Sequence, residues 1–201
     1  MHPILKSLKG GNRRSIGKSN DVVTRVLNDP ALLDVVVSGM LLEDPLLRMR
    51  CADAAEKITA IHPAYLAPYK SVLLNTLSKC EQQEMQWHVA PMLARLPLSA
   101  REQKAVVNIL IAQTNSRSSI VKTLAMQALF DLGMRNAALQ PLALRHIRRL
   151  TDIGTPAMKA RGRKLLMKRA RPKKSCRKVV APGRSAGGTR RRAVNPKPDG
   201  P

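Results

Sequence analysis

The stretch RMRCADAAEKI, residues 48–58, decides the fold, because its pattern returns three times along the chain. It sets small or apolar residues at Ala52, Ala55 and Ile58. WHVAPMLARL (87–96) repeats this as Ala90, Leu93 and Leu96, and IVKTLAMQALFDL (120–132) as Ala125, Ala128 and Leu129. MKARGRKLL (158–166) follows with Gly162 and Leu165. A spacing of three to four residues marks one face of a helix. The anchors at 52, 90, 125 and 162 are separated by 38, 35 and 37 residues.

A second element follows each of the first three anchors at a fixed offset. Pro68 stands 16 residues past Ala52, Val106 past Ala90 and Pro141 past Ala125. Counting back 38 from Pro68 reaches Pro30. A period of 35–38 residues built from two helices is the signature of an α-solenoid. Small anchors let paired helices approach closely, and prolines near helix starts lose an N–H that has no partner there. Asp29-Pro30, Asp44-Pro45 and Thr155-Pro156 each place a capping residue before a proline.

The spacing predicts an all-α chain of about four helix pairs, about eight helices. The pairs are 20–28 with 30–42, 45–60 with 64–78, 84–96 with 100–114, and 117–132 with 138–151. A last helix over 156–169 carries Lys159, Arg161, Arg163, Lys164 and Lys168, a polar outer side suited to capping the array.

The blocks RMRCADAAEKI, EMQWHVAPMLARLPL, SSIVKTLAMQALFDLG and GTPAMKARGRKLL resemble HEAT repeats. They are similar to a group of small bacterial HEAT-repeat proteins of unassigned function, with GGNRRSIGKSNDVVTRVL (10–27) resembling that group's entry segment. The resemblance covers roughly residues 8–167. It implies an armadillo-like helical fold that binds protein or nucleic acid, and it brings no catalytic residues with it.

Charge divides the chain. Of 201 residues, 36 are Lys or Arg and 13 are Asp or Glu, for a net charge of +23. Residues 1–19 contribute +5, residues 20–158 only +3, and residues 159–201 the remaining +15. This suggests a flexible basic arm (1–19), a HEAT-repeat domain (20–169) and a disordered cationic tail (170–201). Apolar residues make up 44% of the chain, enough for a core, so a wholly disordered chain is excluded. Aromatics are scarce: Trp87, Tyr65, Tyr69 and Phe130 are all there are. Modules that stack bases on aromatic platforms are therefore disfavoured.

Three candidate chemistries fall short. GGNRRSIGKS ends as a phosphate loop does, but Asn12 stands where the loop's first glycine belongs, and no strand precedes it. The basic arm is expected instead, with Ser19 or Asn20 capping the first helix. Trp87-His88 near Glu81 and Glu84 could form an acid–base site or a pocket for a damaged base, yet Trp87 shares a helical stripe with Ala90, Pro91 and Ala94, which favours packing. His2, His62, His88, His146 and the cysteines Cys51, Cys80 and Cys176 lack zinc spacing and any disulfide framework, so no metal and no cofactor is expected. No apolar run reaches the about 18 residues of a membrane span, and the N-terminal stretch lacks a signal's apolar region. A cytoplasmic location is expected, at the nucleoid if the tail holds DNA.

Basic residues carry the remaining signal. Arg50, Lys122, Arg161 and Arg163 come from equivalent helices and would align as a stripe able to track phosphates. Solvated pairing competes with this reading: Arg50 and Lys57 flank Asp53 at helical spacing. Lys164, Lys168 and Arg169 continue the basic run into the tail, with Arg171, Lys173, Lys174, Arg177, Lys178, Arg190, Arg191 and Arg192. Arg145, Arg148 and Arg149, with His146, lie near a helix end where cations suit the helix dipole. They also extend the cationic surface.

The expected function is that of a non-enzymatic scaffold. The helices would bind a protein partner, and the tail would tether the chain to DNA, RNA or another polyanion. A body that itself reads nucleic acid through the basic stripe is the alternative. A HEAT-like DNA glycosylase or a tetrapyrrole lyase is a further one, disfavoured by the missing aromatics and acid–base group.

Overall fold

In the computed structural model, residues 1–12 and 14–170 are described. Among them the chain is helical, without strands, and holds ten α-helices. They are α1 (Pro3–Ser7), α2 (Ser19–Asn28), α3 (Leu33–Gly39), α4 (Pro45–Ile61) and α5 (Lys70–Asn75). Then follow α6 (Gln83–Arg95), α7 (Ala100–Gln113), α8 (Ser119–Arg135), α9 (Gln140–Ile153) and α10 (Pro156–Ala170).

Several prolines act as helix starts, whereas Pro91 lies inside α6. Pro45 takes the first position of α4, and the Asp44 carboxylate accepts from the N–H groups of Leu46 (2.9 Å) and Leu47 (3.2 Å). Asp29 caps the short 3₁₀ turn Pro30–Leu32 in the same way through Ala31 N–H at 3.2 Å. Ser99 and Glu102 close a reciprocal capping box on α7. Where prolines crowd, the expected helix breaks. The segment expected as 64–78 becomes a 3₁₀ helix over Pro63–Tyr69, α5, and a second 3₁₀ turn over Leu77–Lys79. Pro63 and Pro68 have no N–H for an α-helical ladder.

The even-numbered helices pack in succession: α2 on α4, α4 on α6, α6 on α8 and α8 on α10. The odd helices α3, α7 and α9 lean on them, and α1 rests against α3. The sequence anchors lie along the even row. Ala52, Ala90 and Ala125 are fully buried on α4, α6 and α8. Gly162 is buried on α10. A methyl group added at Gly162 would come within 1.9 Å of the Thr151 hydroxyl of α9, so only glycine permits that approach.

One apolar core runs from Ile4 to Ala143, with Leu8, Met40, Ile58, Leu93 and Leu110 among its members. A smaller cluster of Met126, Phe130, Ile147, Leu150, Met158 and Leu165 joins α8, α9 and α10. Each such side chain contributes about 1.5–3 kcal/mol on burial.

The N-terminal segment departs from the expected free arm. Ile4 and Leu5 of α1 and Leu8 beyond it are buried in the main core. The loop that follows encloses a cation, as described next.

Candidate nucleic-acid interface

Arg50 does not stand in a surface stripe. It is 2% exposed on α4. Its guanidinium donates Nη1–H to the carbonyls of Leu8 (2.5 Å) and Gly10 (2.6 Å), Nη2–H to Asn12 (3.3 Å) and Nε–H to Ser15 (3.2 Å). The expected Arg50–Asp53 pair does not form, since these carbonyls take the cation. Arg50 is thus withdrawn from the phosphate-tracking set by geometry: a guanidinium enclosed by backbone cannot meet an external phosphate.

This cradle also explains GGNRRSIGKS. A phosphate loop turns N–H groups inward on an anion. The present loop turns carbonyls inward on a cation, the opposite polarity. Gly17 has φ +55°, and a Cβ there would lie 2.8 Å from Arg50 Cζ. Glycine is needed for both reasons.

Ser19 does not cap α2 either. It is fully buried and donates its hydroxyl to Asp53 Oδ2 at 2.6 Å. Asp53 also accepts from Lys57 at 2.7 Å, and Lys57 reaches Asn20 Oδ1 at 2.8 Å. Asp53 thereby ties α2 to α4. Comparable ties cross the later helices. Arg95 on α6 meets Glu56 on α4 at 2.6 Å. Arg135 on α8 donates to the Ala94 carbonyl of α6 at 2.8 Å. Arg161 on α10 donates to Gln127 Oε1 of α8 at 3.1 Å.

The Trp87–His88 region sits inside this tied zone. Trp87 is half-buried and meets His88 edge-on at 5.9 Å between ring centres. Burial lowers the His88 pKa, opposed by Asp53, Glu56 and Glu84 and reinforced by Lys57. Among the described residues, no three His, Cys, Asp or Glu side chains converge as a metal site requires. No helix there is long and apolar enough to cross a membrane.

The other assigned cations divide by helix. Lys122 is half-buried on α8 and makes no side-chain bond among the described residues. Arg161 is half-buried and occupied by Gln127. Arg163, Lys164, Lys168 and Arg169 are exposed on α10 and form no ion pair there. Lys168 lies 5.9 Å from the centre of the Phe130 ring. Arg171, Lys173, Lys174, Arg177, Lys178, Arg190, Arg191 and Arg192 fall outside the described residues.

Three arginines outside that stripe, which the sequence places near the end of a basic helix, are also exposed. Arg145, Arg148 and Arg149 are exposed on α9, and none has a hydrogen-bond or ion-pair partner among the described residues. Arg145, His146 and Arg149 edge an open groove floored by Ile111 and Leu142. Thr114 donates its hydroxyl proton to the Ile111 carbonyl at 2.6 Å, so toward His146 Nε2, 3.4 Å away, it accepts. Burial and then Arg149 lower the His146 pKa. The lack of acid around these arginines strengthens the sequence signal: Asp152 is the sole carboxylate between residues 140 and 170.

No family model, no curated protein and no solved structure matches this chain.

Proposed function

We propose that the chain is a non-enzymatic HEAT-like α-solenoid scaffold. Its helices bind a protein partner, and its basic C-terminal segment tethers it to nucleic acid or another polyanion. The succession α2–α4–α6–α8–α10, with a small buried anchor on each helix from α4 onward, supports the repeat reading.

The observation that carries the polyanion reading is the charge of the C-terminal end. α9 and α10 expose Arg145, Arg148, Arg149, Arg163, Lys164, Lys168 and Arg169 against the single carboxylate of Asp152. The sequence then continues into a segment with ten Lys or Arg residues and one Asp. Such density favours linear polyanions through counterion release.

The test is a salt titration of binding to a random DNA duplex, comparing residues 1–201 with residues 1–170. The core residues all lie before 170, so the shorter chain keeps them. A tether predicts a steep log–log salt slope that becomes shallower, with at least tenfold weaker binding, on truncation. Equal affinity of the two chains at low salt would overturn the tethering role. A full chain that binds no duplex at all would overturn the nucleic-acid reading as a whole.

A further inference from the structure

We infer that the exposed side of α9, together with that of α10, is a duplex phosphate-binding surface in which Arg145, Arg148 and Arg149 contact the backbone. This rests on the polyanion reading above and assigns part of that contact to the folded helices.

The geometry supplies three arguments. Arg145 and Arg149 stand one helical turn apart, about 6 Å along the axis, with Arg148 on the same exposed side. That spacing suits consecutive phosphates of one strand. Second, these guanidinium groups are unpaired among the described residues, unlike Arg50, Arg95, Arg135 and Arg161, each of which is bound within the fold. Their donors are available, and their planar forks match phosphate oxygens. Third, the apolar part of this surface is confined to the Ile111–Leu142 floor of the groove and single scattered side chains, short of the apolar centre a protein interface has. Its exposed large apolar side chains are Leu142, Ile153 and Met167. Leu142 and Ile153 are about 16 Å apart along α9.

The choice of a duplex over a single strand follows from the missing aromatics. Residues 140–170 contain no Phe, Tyr or Trp. Unstacked bases would find no platform there. A duplex needs none, because its phosphates alone supply the contact. Asp152 lies on the same side of α9, exposed, and opposes an incoming phosphate.

The experiment uses the full chain. Duplex binding is followed by fluorescence anisotropy across a salt series for wild type, R145Q/R148Q/R149Q, and a control triple R25Q/R101Q/R117Q. The control removes three exposed arginines elsewhere and leaves the same net charge. Three lost phosphate contacts should reduce the magnitude of the salt slope by about 2.7 and weaken binding on the order of a hundredfold at 0.1 M salt. The control should keep nearly the wild-type slope. D152N should bind severalfold more tightly, a gain that a merely structural role would not produce. Thermal midpoints should be alike, since every altered side chain is exposed.

If wild type binds steeply while the two triples behave alike, this surface is overturned and the tether reading stands. Absence of wild-type binding overturns both. Tighter binding to a single strand of equal length overturns the duplex assignment. Capture of polyglutamate in preference to the duplex transfers the surface to acidic proteins and overturns it as a nucleic-acid site.

Discussion

Replacing Arg50 by methionine removes the cation from its carbonyl cradle while keeping much of the buried stem. Four hydrogen bonds from a charged group are lost, each contributing about 1.5–3 kcal/mol to stability when such a bond is removed singly. The net cost is smaller for two reasons. Gly10, Asn12 and Ser15 are exposed residues, so their released carbonyls can take water. The variant also avoids desolvating a guanidinium. About 3 kcal/mol of destabilisation remains, concentrated on the Leu8 carbonyl and on the order of the loop.

The location of the damage follows from comparing magnitudes. Detaching the whole N-terminal segment would expose Ile4, Leu5 and Leu8, at about 1.5–3 kcal/mol each. That exceeds the cost of opening the cradle alone. Helix α1 should therefore stay docked while residues 9–18 open. Urea unfolding gives the first quantity, and hydrogen exchange resolved along the chain gives the second. R50K, with one ammonium and no fork, should fall between wild type and R50M. A loss below about 0.5 kcal/mol, or unchanged exchange in residues 9–18, would refute the cradle argument. The duplex salt slope of R50M should equal that of wild type; a reduced slope would return Arg50 to the phosphate-contacting set.

Three further outcomes can be measured independently. G162A places a methyl group against Thr151 and should destabilise by about 1–3 kcal/mol in thermal unfolding, with partial rescue by T151A. The Ser99 backbone N–H, then Lys70 and the Ser99 hydroxyl, hold the Glu102 carboxyl down to about 2 from its usual 4.5. A depressed carboxyl adds stability that is complete above about pH 4.5 and is lost as pH falls toward about 2. The stability difference between wild type and E102Q should shrink across that window in acid unfolding. Burial pushes the Cys51 thiol up to about 12. An aromatic disulfide reagent at pH 8 should modify half-exposed Cys80 in the native protein and reach Cys51 only with unfolding.

The positions of the long helices were legible because they depend on side-chain period; the short α1 and the broken 64–78 segment were not. Ala52, Ala90 and Ala125 fall on successive packed helices because a small residue recurring at fixed spacing is a record of close approach. The Asp–Pro starts were legible because capping is local. The cradle was not. Its acceptors are backbone carbonyls 35 to 42 residues from Arg50, and a carbonyl leaves no mark in the amino-acid sequence. The three glycines of residues 10–17 did leave a mark, but they report only that the backbone must turn and pass close to something. They do not say whether N–H or C=O faces inward, so one pattern fits a phosphate and a guanidinium alike. Ser19 misled for a related reason: a serine before a helix usually caps it, and here Asp53, 34 residues away, attracts the hydroxyl more strongly.

The same comparison shows where a sequence does reveal free charge. Arg50, Arg95 and Arg161 resemble surface cations when judged by their own helices. Each is in fact a tie to a neighbouring segment, with a partner supplied by Glu56, by Gln127 or by backbone. Abundance of basic residues therefore says little about availability. Scarcity of acid says more, because a helix pair with one carboxylate has few side chains able to occupy its cations. Between residues 140 and 170 that carboxylate is Asp152, and it leaves Arg145, Arg148 and Arg149 without an ion pair among the described residues. Charge imbalance counted over a packed helix pair is thus a better guide to unpaired cations than a stripe drawn through equivalent positions of a repeat. The R145Q/R148Q/R149Q salt slope, set beside that of R50M, measures the difference between the two criteria.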